Sequence, residues 1–422
     1  IHDKNDRDVT GADITVTPWM TEMNHGVSEK PVVTEKGRGL YNVGNIILIM
    51  TGQWELRVNV KKGEVEDNVA FDFRDVKAER DRKSDYRSFF KALPAIPPIP
   101  ADNPMIPEKI KLGKMLFWDR RVSKTGATSC VFCHYPSYYG AEPMKKSVGI
   151  KGDIHLRNAQ TVLNAAFLTS QFWAGESPTL EHQALAAIKS HVATRSWPKE
   201  VAERLNRIPE YRELSVKVFG EPLTEENIGK AIAAFVRTLV TPDYPLAGWL
   251  SGDDNALTEK QKRGMALFVD KGCVGCHHGP AFSGSVHDPS IQVHAKEHPE
   301  AHKHGLHLHE VILPGAENDL GRAKETKREQ DKYFFKVPQL LNVAKTPPYT
   351  HAGLIDNLHD MVRFMAKNML NKELDSAEVD DIVAFLHSLT GEIPHDFMVV
   401  PVLPVGGGEG DFGPDLLPSG KN

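Results

Sequence analysis

Hydrophobic and polar positions keep one period at the start of the chain and another after it. Trp54-Glu55-Leu56-Arg57-Val58-Asn59-Val60-Lys61 alternates apolar and polar residues, which predicts a half-buried strand. Tyr41 to Met50 is a β-rich run containing glycine, and Val69-Ala70-Phe71-Asp72-Phe73 offers a further strand, so residues 1–78 read as a small β-sandwich. Val76 to Arg87 is highly charged, and Pro94, Pro97, Pro98, Pro100, Pro104 and Pro107 follow, giving linker composition over 79–108. Beyond the linker the period lengthens. Ile228, Ala231, Ile232, Phe235, Val236 and Leu239 recur at helical spacing. Thr258 with Gln261, and Asp375 with Glu378, have the capping-box spacing ahead of apolar runs. The pattern predicts a mainly α chain with two helical domains in tandem, 109–252 and 253–395, and an extended Gly/Pro-rich tail over 396–422.

Composition narrows the function classes. With 422 residues the chain is long enough for two or three domains. Its 40% hydrophobic and 25% charged content is ordinary for a globular protein, and a net charge of -5 implies no basic face for nucleic acid. The densest apolar patch, Ile46 to Met50, falls far short of the ~18 residues that a membrane helix needs. The first residue is Ile, as expected of a mature chain whose signal peptide has been removed.

The cysteines carry the chemistry. All four lie in two Cys-x-x-Cys-His units, Cys130-Val131-Phe132-Cys133-His134 and Cys273-Val274-Gly275-Cys276-His277. A disulfide framework would spread them, and zinc knuckles would not put a His directly after each second Cys. Covalent haem c needs this spacing, two thiols on one turn followed by an imidazole that reaches the iron. The motifs therefore predict two covalently bound haems, and with them an oxidising, extracytoplasmic and, in bacteria, periplasmic location.

From Pro104 to Ile393 the sequence resembles the bacterial dihaem cytochrome c peroxidase and MauG family. The resemblance rests on Leu112-Gly113-Lys114-Met115-Leu116-Phe117, both haem motifs, Arg157-Asn158, Gln171-Phe172-Trp173 and Leu180-Glu181-His182-Gln183-Ala184. It extends through Ala231 to Thr241, Gly279-Pro280, Phe335-Lys336-Val337-Pro338 and Pro347-Pro348-Tyr349-Thr350-His351. It implies two tandem c-type cytochrome domains, with His134 and His277 as proximal ligands and Met365 as sixth ligand of the second haem. Met361, one turn earlier, is the fallback. A thioether ligand would raise that haem's potential. The resemblance further implies that Trp173 relays electrons between the haems. It also implies that Asn158, Thr346 and Pro348 hold calcium through an amide oxygen and two carbonyls, a hard-oxygen set.

Two departures stand out. Where classical peroxidases carry a loop histidine, this chain has Ile150, so the first haem is expected to be open, as in MauG-like proteins. Where the family keeps a distal glutamate, this chain reads Ser190-His191-Val192-Ala193-Thr194, and Ala193 cannot shuttle a proton. Gln183 is retained but does not titrate. His191 could replace the glutamate, could close the first haem as a sixth ligand, or could be an ordinary histidine.

Two further features suit metals. Trp19-Met20-Thr21-Glu22-Met23-Asn24-His25-Gly26 resembles the Met/His stretch of FixH- or YtkA-like β-domains, where Met20, Met23 and His25, with Met50, could bind copper or could simply pack. His287, His294, His298, His302, His304, His307 and His309 fall in one loop, suited to zinc or copper or else a solvated insertion. The reading that follows is a dihaem oxidoreductase. It uses hydrogen peroxide at an open first haem and oxidises a small redox protein, or an aromatic side chain such as Trp on a partner protein, as MauG does. The alternative is a non-enzymatic electron-transfer or copper-handling protein. The family also makes a homodimer possible.

Overall fold

The computed structural model describes residues 1–3, 5–21, 25–26, 31–44, 46, 48, 52–76, 86–150, 152–284, 308–310 and 318–406. Its N-terminal region is β. Strands β1 (Asp13–Met20), β2 (His25–Gly26), β3 (Val32–Gly37), β4 (Leu40–Gly44), β5 (Gly52–Lys62) and β6 (Val65–Val76) form a four-stranded antiparallel sheet, order β2-β1-β5-β6, and a separate β3-β4 hairpin. The alternation read from Trp54 to Lys61 sets the register. Trp54, Leu56 and Val58 pair with Phe73, Phe71 and Val69 on one side and with Met20, Pro18 and Val16 on the other, so one face is apolar across three strands. Trp54, Met20 and Val16 are buried, whereas Phe71 and Phe73 on the edge strand remain exposed. Gly63 makes the β5–β6 turn with φ +62°, a conformation that favours glycine.

The remainder is mainly helical. Helices α1 (Pro107–Trp118), α2 (Leu180–Lys189), α3 (Pro198–Leu205), α4 (Pro209–Phe219) and α5 (Glu225–Val236) surround one core, with Leu112, Leu116, Phe117, Ile228 and Phe235 at its centre. Helices α6 (Pro245–Leu250), α7 (Glu259–Asp270), α8 (Leu358–Leu370) and α9 (Ser376–His387) surround a second core built on Phe268, Phe282, Val379 and Phe385. Both capping boxes form, Thr258 with Gln261 on α7 and Asp375 with Glu378 on α9. Each buried Leu, Ile or Phe contributes about 1.5–3 kcal/mol.

The segment after the β region and the C-terminal segment both dock. Phe90 and Leu93 are buried in the second core, and the Leu93 amide donates to Tyr244 Oη at 3.0 Å. Phe397, on a helical turn at His395–Met398, is buried in the first core. Arg121 donates to the carbonyls of Pro404 (3.0 Å) and Gly406 (2.6 Å).

The two helical halves repeat one plan. Gly113 on α1 crosses α5 so closely that a Cβ would lie 1.9 Å from the Ala231 carbonyl; Gly264 on α7 crosses α9 with 1.8 Å to the Asp381 carbonyl. Phe117 meets Phe235 at 5.4 Å, and Phe268 meets Phe385 at 5.2 Å. Residues 157–180 then match 335–358 position for position. Asn164 and Asn342 both have positive φ, the bridge Gln171–Ser177 matches Tyr349–Ile355, and α2 and α8 start after the N-caps Thr179 and Asn357. The first half inserts α3 and α4, and the second inserts the stretch holding the His-rich loop.

Candidate functional site

Each Cys-x-x-Cys-His unit lies on a 3-10 turn, Cys130–Phe132 or Cys273–Gly275, shortly after the first long helix of its half. The turn shape puts both thiols on one side, with the His next in line. Neither pair forms a disulfide. Burial pushes the thiols up, Cys130 and Cys276 to about 12, Cys133 and Cys273 to about 11. Reactive dithiols and thiolate metal sites depend on lowered values, so this environment suits neither. It suits thiols converted to uncharged thioethers. The donor set fits haem c.

The two histidines are held alike. His134 Nδ1 is 3.0 Å from the Gly140 carbonyl, and His277 Nδ1 is 2.9 Å from the Phe282 carbonyl. Each ring lies beside its helix phenylalanine, Phe117 at 6.4 Å and Phe268 at 6.5 Å. Anchoring Nδ1 fixes the tautomer that presents Nε2 to a metal. Burial lowers both imidazoles, His277 to about 4, so they are neutral, as a ligand must be.

Between the halves lies a local twofold arrangement. The Asn158 amide donates to the His351 carbonyl at 2.7 Å, and its repeat partner Lys336 donates to the Trp173 carbonyl at 2.8 Å. Trp173 and His351 are themselves repeat partners, with rings 6.3 Å apart edge to face. Trp173 Nε1 donates to the Asn158 carbonyl at 2.8 Å. Trp173 thus bonds to both halves. Phe335 stacks on His351 at 4.0 Å, and Arg157 pairs with Asp319 across the seam at 2.7 Å and with Glu176 of its own half. Burial, only partly offset by Asp319, takes His351 down to about 4.

The remaining expected site residues scatter around this frame. Asn158 Nδ2 donates to the Met144 carbonyl at 2.8 Å, so Oδ1 is the atom of that amide able to accept. The same residue's backbone hydrogen bond to His351 ties it to the loop carrying Thr346 and Pro348, which contains the cis peptide Pro347–Pro348. On α8, Met361 packs against the second core, whereas half-buried Met365 is not part of that packing. Gln183 is half-buried on α2, and its repeat partner is Met361; the partner of Met365 is Ala187.

The two departures meet. The Ile150 amide donates to the Val192 carbonyl at 3.3 Å, and Gly149 lies against the same carbonyl. Ala193 is half-buried on this turn and His191 is exposed. Met20 is buried at 3% and is the cross-strand partner of His25, of which the backbone is described. Met23, Met50, His287, His294, His298, His302, His304 and His307 lie outside the described residues, and His309 is described in backbone only. Among the described residues no three His, Cys, Asp or Glu side chains cluster to hold a metal ion.

Sequence reasoning missed Glu142. It is buried beside the first haem motif, accepts a hydrogen bond from Ser147, and burial raises its carboxyl. It also gave Lys336 no role, although a lysine between the apolar residues Phe335 and Val337 was a legible anomaly; all three are buried.

Comparison with known proteins agrees with this geometry. The family model "Di-haem cytochrome c peroxidase" matches residues 107–255, and "YtkA-like" matches residues 2–59. Cytochrome c551 peroxidase of Pseudomonas aeruginosa is 38% identical over 331 residues, covering 78% of this chain and 91% of that protein. The chain belongs to the di-haem cytochrome c peroxidase family. Within the family it is also similar to the methylamine utilization protein MauG of Methylophilus methylotrophus, at 32% identity over 72% of this chain and 89% of that one. A solved structure of a MauG-like protein associated with microbial copper homeostasis superposes with a TM-score of 0.63 at 26% identity, covering 74% of this chain and 97% of that one. Like its peroxidase and MauG relatives, this member of the family is a c-type dihaem oxidoreductase. No helix among the described residues is long and apolar enough to cross a membrane.

Proposed function

We propose that the chain reduces hydrogen peroxide to two waters at a first haem held by Cys130, Cys133 and His134. A second haem, which Cys273, Cys276, His277 and Met365 would hold, would supply the two electrons. The observation that carries this reading is a difference within the repeat: α8 offers a thioether at Met365 where α2 offers Ala187. With Ile150 and Ala193 also unable to ligate, a haem on His134 would keep a position open for peroxide. Haem c supplies iron that peroxide can oxidise. Trp173, bonded to both halves, provides the path between the sites. Gln183 donates and accepts hydrogen bonds at the open site. His191 is the titratable group of its turn, positioned to exchange protons with bulk water. Asn158 Oδ1 and the carbonyls of Thr346 and Pro348 hold a calcium ion that fixes the seam. The electron donor is a small redox protein, or an aromatic side chain such as Trp on a partner protein, in the periplasm.

The test is stoichiometric peroxide added to the ferric protein, followed by optical and EPR spectra. Loss of a high-spin ferric signal while a low-spin His/Met signal responds more slowly supports the reading. Two low-spin haems inert to peroxide overturn it.

A second reading, copper handling by the β region, is favoured by the cross-strand pairing of Met20 with His25 and by the likeness to the copper-associated structure. Metal analysis after mild purification decides it, since a protein containing haem iron but no stoichiometric copper excludes it.

A further inference from the structure

We infer that Lys336 is the built-in counter-ion for a haem carboxylate at the seam beside Trp173. It is 4% exposed, and its Nζ has no hydrogen-bond partner among the described residues. An ammonium ion out of water and unpaired is strongly disfavoured, and a chain that keeps one there is matched to an anion. The carboxylate that acts on Lys336, Glu176, is already paired with Arg157.

The backbone around Lys336 says which anion. Its amide bonds to Trp173, and Pro338, two residues further on, turns its carbonyl to the His277 ring. Lys336 therefore ends the short strand Phe334–Lys336 and lies two residues before the carbonyl that meets the second haem's proximal histidine. Haem c is tethered through thioethers at one edge and carries its two carboxylates at the opposite edge. With Cys273 and Cys276 on the turn beside His277, the opposite edge of that haem is its free end, and a carboxylate there is the anion available to a buried cation beside Trp173. The repeat adds a second argument. Lys336 occupies the position that Asn158 occupies in the first half, and Asn158 is the side chain proposed to bind calcium. The seam would then carry positive charge at both repeat positions, a metal ion at one and a covalently fixed ammonium at the other. Lys336 is a positioning residue, acting on the haem through its carboxylate.

This inference rests on the two-haem reading, and the test separates the two. Holoprotein variants Lys336→Met, Lys336→Gln and Lys336→Arg are prepared, and two haems per chain are confirmed by the pyridine haemochrome assay. The midpoint potential of each haem is then measured by spectroelectrochemistry. A nearby positive charge favours the reduced iron, so Met and Gln should lower the second haem's potential while Arg retains it. Resonance Raman bands of the carboxylate side chains should shift with Met and Gln and be restored with Arg. Unchanged potentials and unchanged bands in correctly folded two-haem variants overturn the assignment of Lys336. Failure of the parent protein to hold two haems overturns the functional reading instead. If the parent potential follows the buffer anion when phosphate replaces HEPES at constant ionic strength, the partner is a small anion and the inference is wrong.

Discussion

Single residues decide whether the first haem site can do acid–base chemistry. On the proposed reading the distal carboxylate position is Ala193, and the imidazole on its turn is His191. Positioned proton transfer accelerates such steps by about 10²–10⁴-fold. His191→Gln is therefore expected to slow the reaction with peroxide by roughly that factor in stopped-flow measurements, with the first haem's ferric spectrum unchanged. A change from low-spin to high-spin in the variant would instead identify His191 as a closing ligand. Glu142 makes a different prediction. Burial raises its carboxyl above the ordinary 4.5, so the folded chain holds that proton more tightly than the unfolded chain does. By linkage, its contribution to stability falls as pH rises from about 4.5 through the folded value, and is constant above it. Glu142→Gln keeps an acceptor for Ser147 and cannot ionise. Its urea midpoint should exceed that of the parent at neutral pH, and the difference should shrink as the pH is lowered toward 4.5. A difference independent of pH would show that Glu142 does not titrate between the folded and unfolded chains.

At the level of elements, the closest contacts are two helix crossings made possible by glycine. Alanine at Gly113 or Gly264 would set a Cβ within 2 Å of a backbone carbonyl on the facing helix, Ala231 or Asp381. Neither carbonyl can swing away without breaking helix hydrogen bonds, so α1 or α7 must back off and loosen its core. Gly264→Ala should cost about 3 kcal/mol and lower the temperature of haem-coupled unfolding; an unchanged midpoint would mean the helices slide apart freely. These helices were largely legible in the sequence. Ile228, Ala231, Ile232 and Phe235 announced α5, and two capping boxes marked the starts of α7 and α9, because local propensity and capping chemistry act within a few residues. The strand from Trp54 to Lys61 was legible for the same reason, since alternation directly encodes a sheet with one covered face. The haem turns were legible because thioether chemistry fixes their spacing. The environments of Lys336 and Glu142 were not, because each depends on residues brought together from distant parts of the chain.

At the level of the molecule, the repeat ties both halves to one side chain. Asn164 and its partner Asn342 each direct Nδ2 to Thr241 Oγ1, at 2.8 and 3.0 Å, in a fully buried setting. Asn164 Oδ1 accepts from the Thr241 amide, and Asn342 Oδ1 accepts from the Gly391 amide, the matching position of the second half. One hydroxyl thus serves as acceptor for both halves. That arrangement was hidden from the sequence by insertions of different length, α3 and α4 in one half and the His-rich stretch in the other, which displace the matching segments. Thr241→Val preserves shape and removes the acceptor, stranding two buried amide donors at about 1–3 kcal/mol each. The expected loss is about 2–6 kcal/mol in chemical denaturation, and Thr241→Ser should restore most of it. Because the node is shared, amide hydrogen exchange should quicken in the segments around both Asn164 and Asn342. Quickening confined to one half would show that each half holds its asparagine independently, and that the seam at Trp173 is held by Arg157 and its carboxylates instead.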